Sequence, residues 1–244
     1  MVTENQRAKA QRFLELHTGG RLLVLPNAWD AGSARIFEQA GFHALGTTSA
    51  GVALSLGYPD GERVSRADML EVVRRIARAV AIPVTADLEA GYGPTVNDVV
   101  ETAKGAIAAG AVGMNFEDST SDDRLVDVAV NVERIRAVKK VAEAEGIAFV
   151  LNARTDVFLL QIGESAGRFD ETVRRANAYR AVGADCLFVP GVTDAETIGR
   201  LVRAIKGPMN VLAGRGTPPT GELERLGVAR VSIGGGPMRA ALSA

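Results

Sequence analysis

Four short stretches of this 244-residue chain gather the side chains best suited to chemistry: Asp87-Leu88-Glu89, Gly91-Tyr92-Gly93, Glu117-Asp118 and Asn152-Ala153-Arg154-Thr155-Asp156. Asp87 and Glu89 are two positions apart, so on an extended strand their carboxylates face one side, with Glu117 expected beside them from a neighbouring strand. Three converging carboxylates repel one another unless a hard cation neutralises them. An oxygen-only donor set of this kind suits Mg2+ or Mn2+, which keep several waters and take one or two protein carboxylates directly. Arg154 adds a planar fork that can grip a small-molecule carboxylate bidentately while balancing the acids. The same charges admit a plainer reading, in which Glu89 or Glu117 pairs with Arg154 as structural glue and Arg154 is only a counter-ion.

For these residues to meet, the chain must set them at one end of one sheet, and its glycines show how. Segments of helical character end at Gly41, Gly110, Gly146, Gly183, Gly207 and Gly227, and a short apolar run follows each almost at once. Such runs look like strands buried on both faces, each entered from a helix that a glycine closes. Within 65–80 the apolar Met69, Val72, Val73, Ile76, Ala77 and Val80 keep helical spacing behind a Ser65/Asp68 cap. Thr95 with Asp98, and Asp194, open two further helices of the same kind. Strands are expected at 22–28, 44–49, 84–89, 113–117, 149–155, 186–189, 210–213 and 229–233. Eight alternating units without a linker predict an α/β fold, a single (β/α)8 TIM barrel over residues 1–244. An extra N-terminal helix at 7–17 would close its bottom. Only PMRAALSA follows Gly234-Gly235-Gly236, so the eighth outer helix is expected to be short or missing. A neighbouring copy covering that gap makes a homo-oligomer, dimer or tetramer, the expected state.

Composition narrows the function. Lys and Arg number 28 against 29 Asp and Glu, a formal net charge of -1, which gives no pull toward nucleic acid or an anionic membrane. The opening residues carry mixed charge and no long apolar stretch, so neither a secretory signal nor a spanning helix is expected. A lone cysteine, Cys186, agrees with a reducing, cytoplasmic setting. It lies beside Leu187 and Phe188, where a buried inert thiol is expected. Neither His17 nor His43 falls on a loop at the functional face, so histidine chemistry is not expected.

In such a barrel, function sits on the loops after the strands' C-terminal ends. The motifs there, PNAWDAGSARIFEQAGFHALGTTSAGVALSLGYPD, TADLEAGYG, NFED and NARTD, resemble in order those of the phosphoenolpyruvate mutase/isocitrate lyase superfamily. That resemblance implies an α/β barrel, a Mg2+ ion, and small carboxylate substrates that are 2-oxo acids or form pyruvate-like enolates. It implies that Thr48, Ser49 and Ala50 hold the oxo acid, that Asp60 is the loop aspartate near the metal, and that Arg154 binds substrate. It also implies that Asp87 is the principal metal ligand, with Glu89 and Glu117 holding the ion largely through water.

Departures from the family pattern bear on the reaction. The carbon–carbon lyases carry a catalytic cysteine in a KKCGH-type loop, where this chain reads GYGPTVNDVVE. The loop NFEDSTSDDRLVD lacks the lysine and asparagine pattern of the phosphonate mutases. Glu89 stands where many relatives have a shorter aspartate. A lyase- or decarboxylase-like reaction with a different proton donor is therefore expected, and Tyr92 is the candidate donor unless it is an aromatic turn anchor. Three alternatives stay open: a mutase or hydrolase of P–C bonds, an inactive oxo-acid binding protein, and a sugar-phosphate enzyme. In the last, Gly214-Arg215-Gly216 and Gly234-Gly235-Gly236 would cradle the phosphate.

Overall fold

Pro26 has no backbone N–H to give to a ladder, and it splits the first strand of the sheet in two. In the computed structural model, which describes residues 1–243, the pieces are β1 (Leu23–Leu25) and β2 (Asn27–Ala28). The other strands are β3 (Leu45–Thr47), β4 (Val84–Asp87), β5 (Gly113–Glu117), β6 (Val150–Arg154), β7 (Cys186–Val189), β8 (Met209–Leu212) and β9 (Arg230–Ser232). Every neighbour is parallel, in the order β1-β9-β8-β7-β6-β5-β4-β3-β2, so the two ends of the order are the two halves of one broken strand. The sheet thus closes as the expected α/β barrel, with nine short strands in place of eight. Asn27 ties the break: its Nδ2 donates to the Thr47 carbonyl at 2.7 Å, and its Oδ1 accepts from Ile233 and Gly234 N–H at 2.9 Å.

Ten helices surround or cap the barrel among the described residues. They are α1 (Glu4–Thr18), α2 (Ala31–Gln39), α3 (Ser49–Ser55), α4 (Arg66–Ala79), α5 (Val96–Ala109), α6 (Val128–Ala144), α7 (Ser165–Ala181), α8 (Ala195–Ala204), α9 (Thr220–Arg225) and α10 (Gly236–Leu242). The expected caps form: Ser65, Thr95 and Asp194 accept from the backbone N–H three residues on. Met69, Val73 and Ile76 are the buried stripe of α4. Gly110 closes α5 at φ 98°, a left-handed conformation costly for any residue with a Cβ. Gly207 is the one junction glycine without that conformation. The last outer helix is short, at seven residues, and no helix of the described residues is long and apolar enough to cross a membrane.

Helix α1 seals the bottom as expected. A Cβ on Gly113, the first residue of β5, would lie 3.2 Å from the Phe13 ring, so the bare glycine lets that buried side chain press against the bottom of the barrel. Two strands stop two residues short of the sequence reading. The second predicted strand stops at Thr47 because Thr48 turns outward to cap α3, a helix that had read as loop. The third stops at Asp87, beyond which Leu88 and the left-handed Glu89 (φ 50°) begin a turn closed by Gly91 N–H to Leu88 O at 3.0 Å.

Candidate active site

Two adjoining cavities open at the C-terminal end of the strands. The first, about 350 Å³, is bordered by Thr48, Ser49, Ala50, Asp87, Asn115 and Phe188, and by the glycines after β8 and β9. The second, about 370 Å³, is acidic and bordered by Glu62, Glu89, Glu117 and Asp156. Asp60, Ser49 and Arg154 border both.

Asp87 ends β4 with both oxygens held: Oδ2 accepts from Ser49 N–H at 2.9 Å and Oδ1 from Asn115 Nδ2 at 3.2 Å. Each oxygen keeps a further lone pair. The Ser49 amide is therefore committed to Asp87. Thr48 Oγ1 likewise faces its own helix, accepting from Gly51 N–H.

Glu117 and Arg154 lie opposite each other in the register of β5 and β6, and their side chains meet at 2.8 Å with 16 % and 18 % exposure. Arg154 Nε donates to the buried Asp156 at 2.6 Å, and its guanidinium stands 5.7 Å from the centre of the Phe188 ring. Burial works against the Arg154 charge, but Glu117 and Asp156 outweigh it and move its pKa up. Burial pushes the Glu117 carboxyl well above the usual range in spite of Arg154. Glu117 thus makes the ion pair that the plainer reading describes.

Glu89 does not reach the site by strand alternation, since its left-handed backbone takes it off the strand. Its Oε2 accepts from Glu62 N–H at 2.5 Å and its Oε1 from the Tyr92 hydroxyl at 3.1 Å. Burial, with Asp60 and Asp87 adding repulsion, pushes its pKa up to about 7. Tyr92 borders neither cavity; its hydroxyl is taken by Glu89 and its N–H by Glu62 Oε1 at 2.6 Å, so the structure holds it as a turn anchor behind Glu89. Asp60 sits on the exposed rim. Loss of surrounding water and then the charge of Asp87 raise its pKa, while the Ser49 hydroxyl lowers it.

Among the described residues no three His, Cys, Asp or Glu side chains converge into a metal cage. Asp87, Glu89 and Glu117 are thus not gathered as three direct ligands, in keeping with a cation that takes few carboxylates directly and keeps several waters. The donor chemistry still fits a hydrated hard cation: one carboxylate with free lone pairs, and further acids close enough to repel it and each other.

Several backbone amides that a phosphate cradle at the glycine turns would use are already taken. Ile233 and Gly234 N–H both serve Asn27, Gly214 N–H serves Thr217 Oγ1 at 3.0 Å, and Gly236 N–H serves Ile233 O. Cys186 is buried, with its thiol pushed up to about 12, as an inert core residue should be.

The phosphoenolpyruvate phosphomutase family model matches residues 13–244. The chain belongs to that family. Within it, a Burkholderia cenocepacia J2315 protein described as a candidate phosphonomutase superposes with a TM-score of 0.92 at 45% identity, covering 96% of each chain. Oxaloacetate decarboxylase of Rhodopseudomonas palustris (strain TIE-1) is 32% identical over 93% of this chain and 79% of its own. Phosphonopyruvate hydrolase, solved with oxalate and Mg2+, superposes with a TM-score of 0.86 at 27% identity, over 96% of this chain and 83% of that one.

Of the residues singled out in the sequence, Thr48, Ser49, Ala50, Asp60, Asp87, Glu89, Glu117 and Arg154 border the cavities, and Tyr92 does not. Sequence reasoning missed Glu62, Asn115 and Phe188. Asn115 stands inside the NFED motif and its cross-strand position beside Asp87 was a usable signal; nothing near Glu62 announced that its loop docks on Glu89.

Proposed function

We propose that this chain is a Mg2+-dependent lyase that breaks a carbon–carbon bond of a small 2-oxo acid, in the manner of a decarboxylase, leaving an enolate on the retained fragment. The observation that carries the reading is the doubly held Asp87 beside Arg154, with Asp60, Glu89 and Glu117 around it. Mg2+ held at this place would supply Lewis acidity to the bound oxo acid.

Asp87 would hold the ion directly, and Asp60, Glu89 and Glu117 would hold it through water. Arg154, fixed between Glu117 and Asp156 and backed by Phe188, is oriented before substrate arrives, and its remaining N–H donors serve the substrate carboxylate. Ser49 and Ala50 border the same volume and shape it for the oxo acid. Asp60, on the rim shared by both cavities, is the group placed to pass a proton to the enolate carbon after cleavage.

The likeness to oxaloacetate decarboxylase supports cleavage of a C–C bond. The likeness to the candidate phosphonomutase and to phosphonopyruvate hydrolase supports a second reading, P–C cleavage. The proposal includes a homo-oligomer: Ile36 and Leu242 are exposed beside an apolar groove between α2 and α10, where a neighbouring copy can supply the cover that the short α10 does not.

The test is to offer the purified chain, with Mg2+, oxaloacetate and phosphonopyruvate while following pyruvate, CO2 and phosphate separately. Pyruvate with CO2 is the expected result, and pyruvate with phosphate moves the reading to P–C chemistry. Stabilisation by oxalate without turnover of either would leave only an oxo-acid binding protein. Asp87→Ala is expected to abolish Mg2+-dependent oxalate binding by calorimetry; unchanged affinity would sink the metal assignment.

A further inference from the structure

Beneath the cavity floor lies a charged side chain that the proposed reaction does not use. Arg230, the first residue of β9, is fully buried inside the barrel. Its Nη2 donates to Asn115 Oδ1 at 3.2 Å, while Nε and Nη1 have no hydrogen-bond partner. No carboxylate among the described residues pairs with it. A guanidinium buried against one neutral acceptor is costly, and a methionine of similar length would fill the space without that penalty.

The direction of the hydrogen bonds suggests what the charge achieves. The two ends of an asparagine amide are nearly identical in shape, so a flip exchanges donor and acceptor. Asn115 Oδ1 accepts from two donors, Arg230 Nη2 and Asn152 Nδ2, the latter at 2.8 Å. With its oxygen fixed there, Nδ2 must face the other way, where it donates to Asp87 Oδ1. Asn152 cannot enforce this arrangement, because its own Oδ1 has no partner and its amide is free to flip. Arginine can only donate. The register places Asp87, Asn115 and Asn152 opposite one another on β4, β5 and β6, so one reversal would pass along the whole line.

We infer that Arg230 is a positioning residue: a donor that cannot be reversed, which sets the polarity of the Asn152–Asn115–Asp87 line and so fixes the carboxylate that faces cation and oxo acid. With Arg230 in place, Asp87 always meets an N–H on Oδ1 to match the Ser49 N–H on Oδ2. Without it, a flipped Asn115 would present its oxygen to the carboxylate and turn it away. The inference rests on the proposed role of Asp87, but the orientation of Asn115 can be read separately.

The experiment compares the full-length chain with Arg230→Met, which removes both donor and charge, and with Arg230→Lys, which keeps a cation that can only donate. Two quantities are measured: the side-chain amide signals of Asn115 in 15N–1H spectra, and the affinity for oxalate with Mg2+ by calorimetry. Arg230→Met is expected to keep the native spectrum elsewhere, to shift or split the Asn115 amide pair, and to weaken oxalate binding on the order of tenfold. Arg230→Lys is expected to restore most of both. An Arg230→Met protein with native Asn115 signals and native oxalate affinity overturns the inference. Should that variant fail to fold, Arg230→Gln, which can present either end of an amide, is read in the same way. If the unaltered chain binds no oxalate with Mg2+, the proposed function falls, and the Asn115 signals still decide the role of Arg230.

Discussion

Tyr92 shows how a residue of suitable chemistry can sit next to a site without entering it. Its hydroxyl is the donor that Glu89 Oε1 receives, and its backbone N–H binds Glu62. Burial, and then the charge of Glu89, raise the pKa of the phenol, so it keeps its proton as a structural donor. Tyr92→Phe is therefore expected to cost about 1 kcal/mol of stability and leave turnover largely intact. Loss of a general acid would instead lower kcat by a factor of about 10² to 10⁴, so a steady-state comparison on whichever of oxaloacetate and phosphonopyruvate the native chain turns over separates the two roles. At this scale the sequence was most informative where side chain and backbone agree. Asp87 and Arg154 end strands whose alternation was visible, and they stand at the cavities. Glu89 seemed to continue the same alternation, but the chain becomes left-handed at that residue, a conformation that a glutamate does not announce. Arg230 looked like any polar residue beginning a strand, because no local pattern records that the barrel interior closes over it.

Asp118 carries the same question to the level of elements, since NFED offers two adjacent acids that face opposite ways. Glu117 faces the cavities; Asp118 is fully buried beneath α7, where its Oδ2 accepts from Tyr179 at 2.7 Å and from Arg175 at 3.1 Å. Its Oδ1 accepts from Asp156 N–H at 3.0 Å, so one carboxylate joins β5, the loop after β6, and α7. Asp118→Ala leaves Arg175 buried with only the partly exposed Glu171 as its ion-pair partner. The expected loss is about 3 kcal/mol, seen as a fall in Tm on the order of 10 °C. Oxalate affinity measured well below that Tm should be unchanged, since Asp118 does not border the cavities. Element boundaries were legible where local chemistry sets them: Ser65, Thr95 and Asp194 cap the helices they were expected to cap. They were not legible where tertiary contacts decide. Thr48 leaves β3 to cap α3, and Asn27 bonds across the split at Pro26 to residues more than 200 positions away in the chain.

The whole molecule divides its charge along the barrel axis, with acids crowding the open end while the bottom holds Arg230 and, on α1, the buried His17. His17 Nδ1 donates to Phe13 O at 2.8 Å, the imidazole meets the Phe13 ring edge-to-face at 4.7 Å, and Nε2 has no partner. Burial, then the nearby positive charge of Arg230, lower its pKa from 6.5 to about 4. Below pH 6.5 the unfolded chain takes up a proton at this residue that the folded chain refuses until about pH 4. Its contribution to stability is therefore complete above 6.5 and is lost as the pH falls toward 4, by an amount on the order of 3 kcal/mol. The crowded acids act in the opposite sense. Glu89, raised from 4.5 to about 7, favours the fold most below pH 4.5, and that contribution disappears as the pH rises through 7. The total pH curve mixes both effects, but a comparison with His17→Gln cancels the acids, which both proteins share. Between pH 7 and pH 4, denaturant unfolding of the native chain should lose stability relative to His17→Gln, whose side chain stays neutral throughout. Parallel curves for the two proteins would show that the imidazole is protonated in place, and that α1 does not seal the barrel as tightly as the burial of His17 implies.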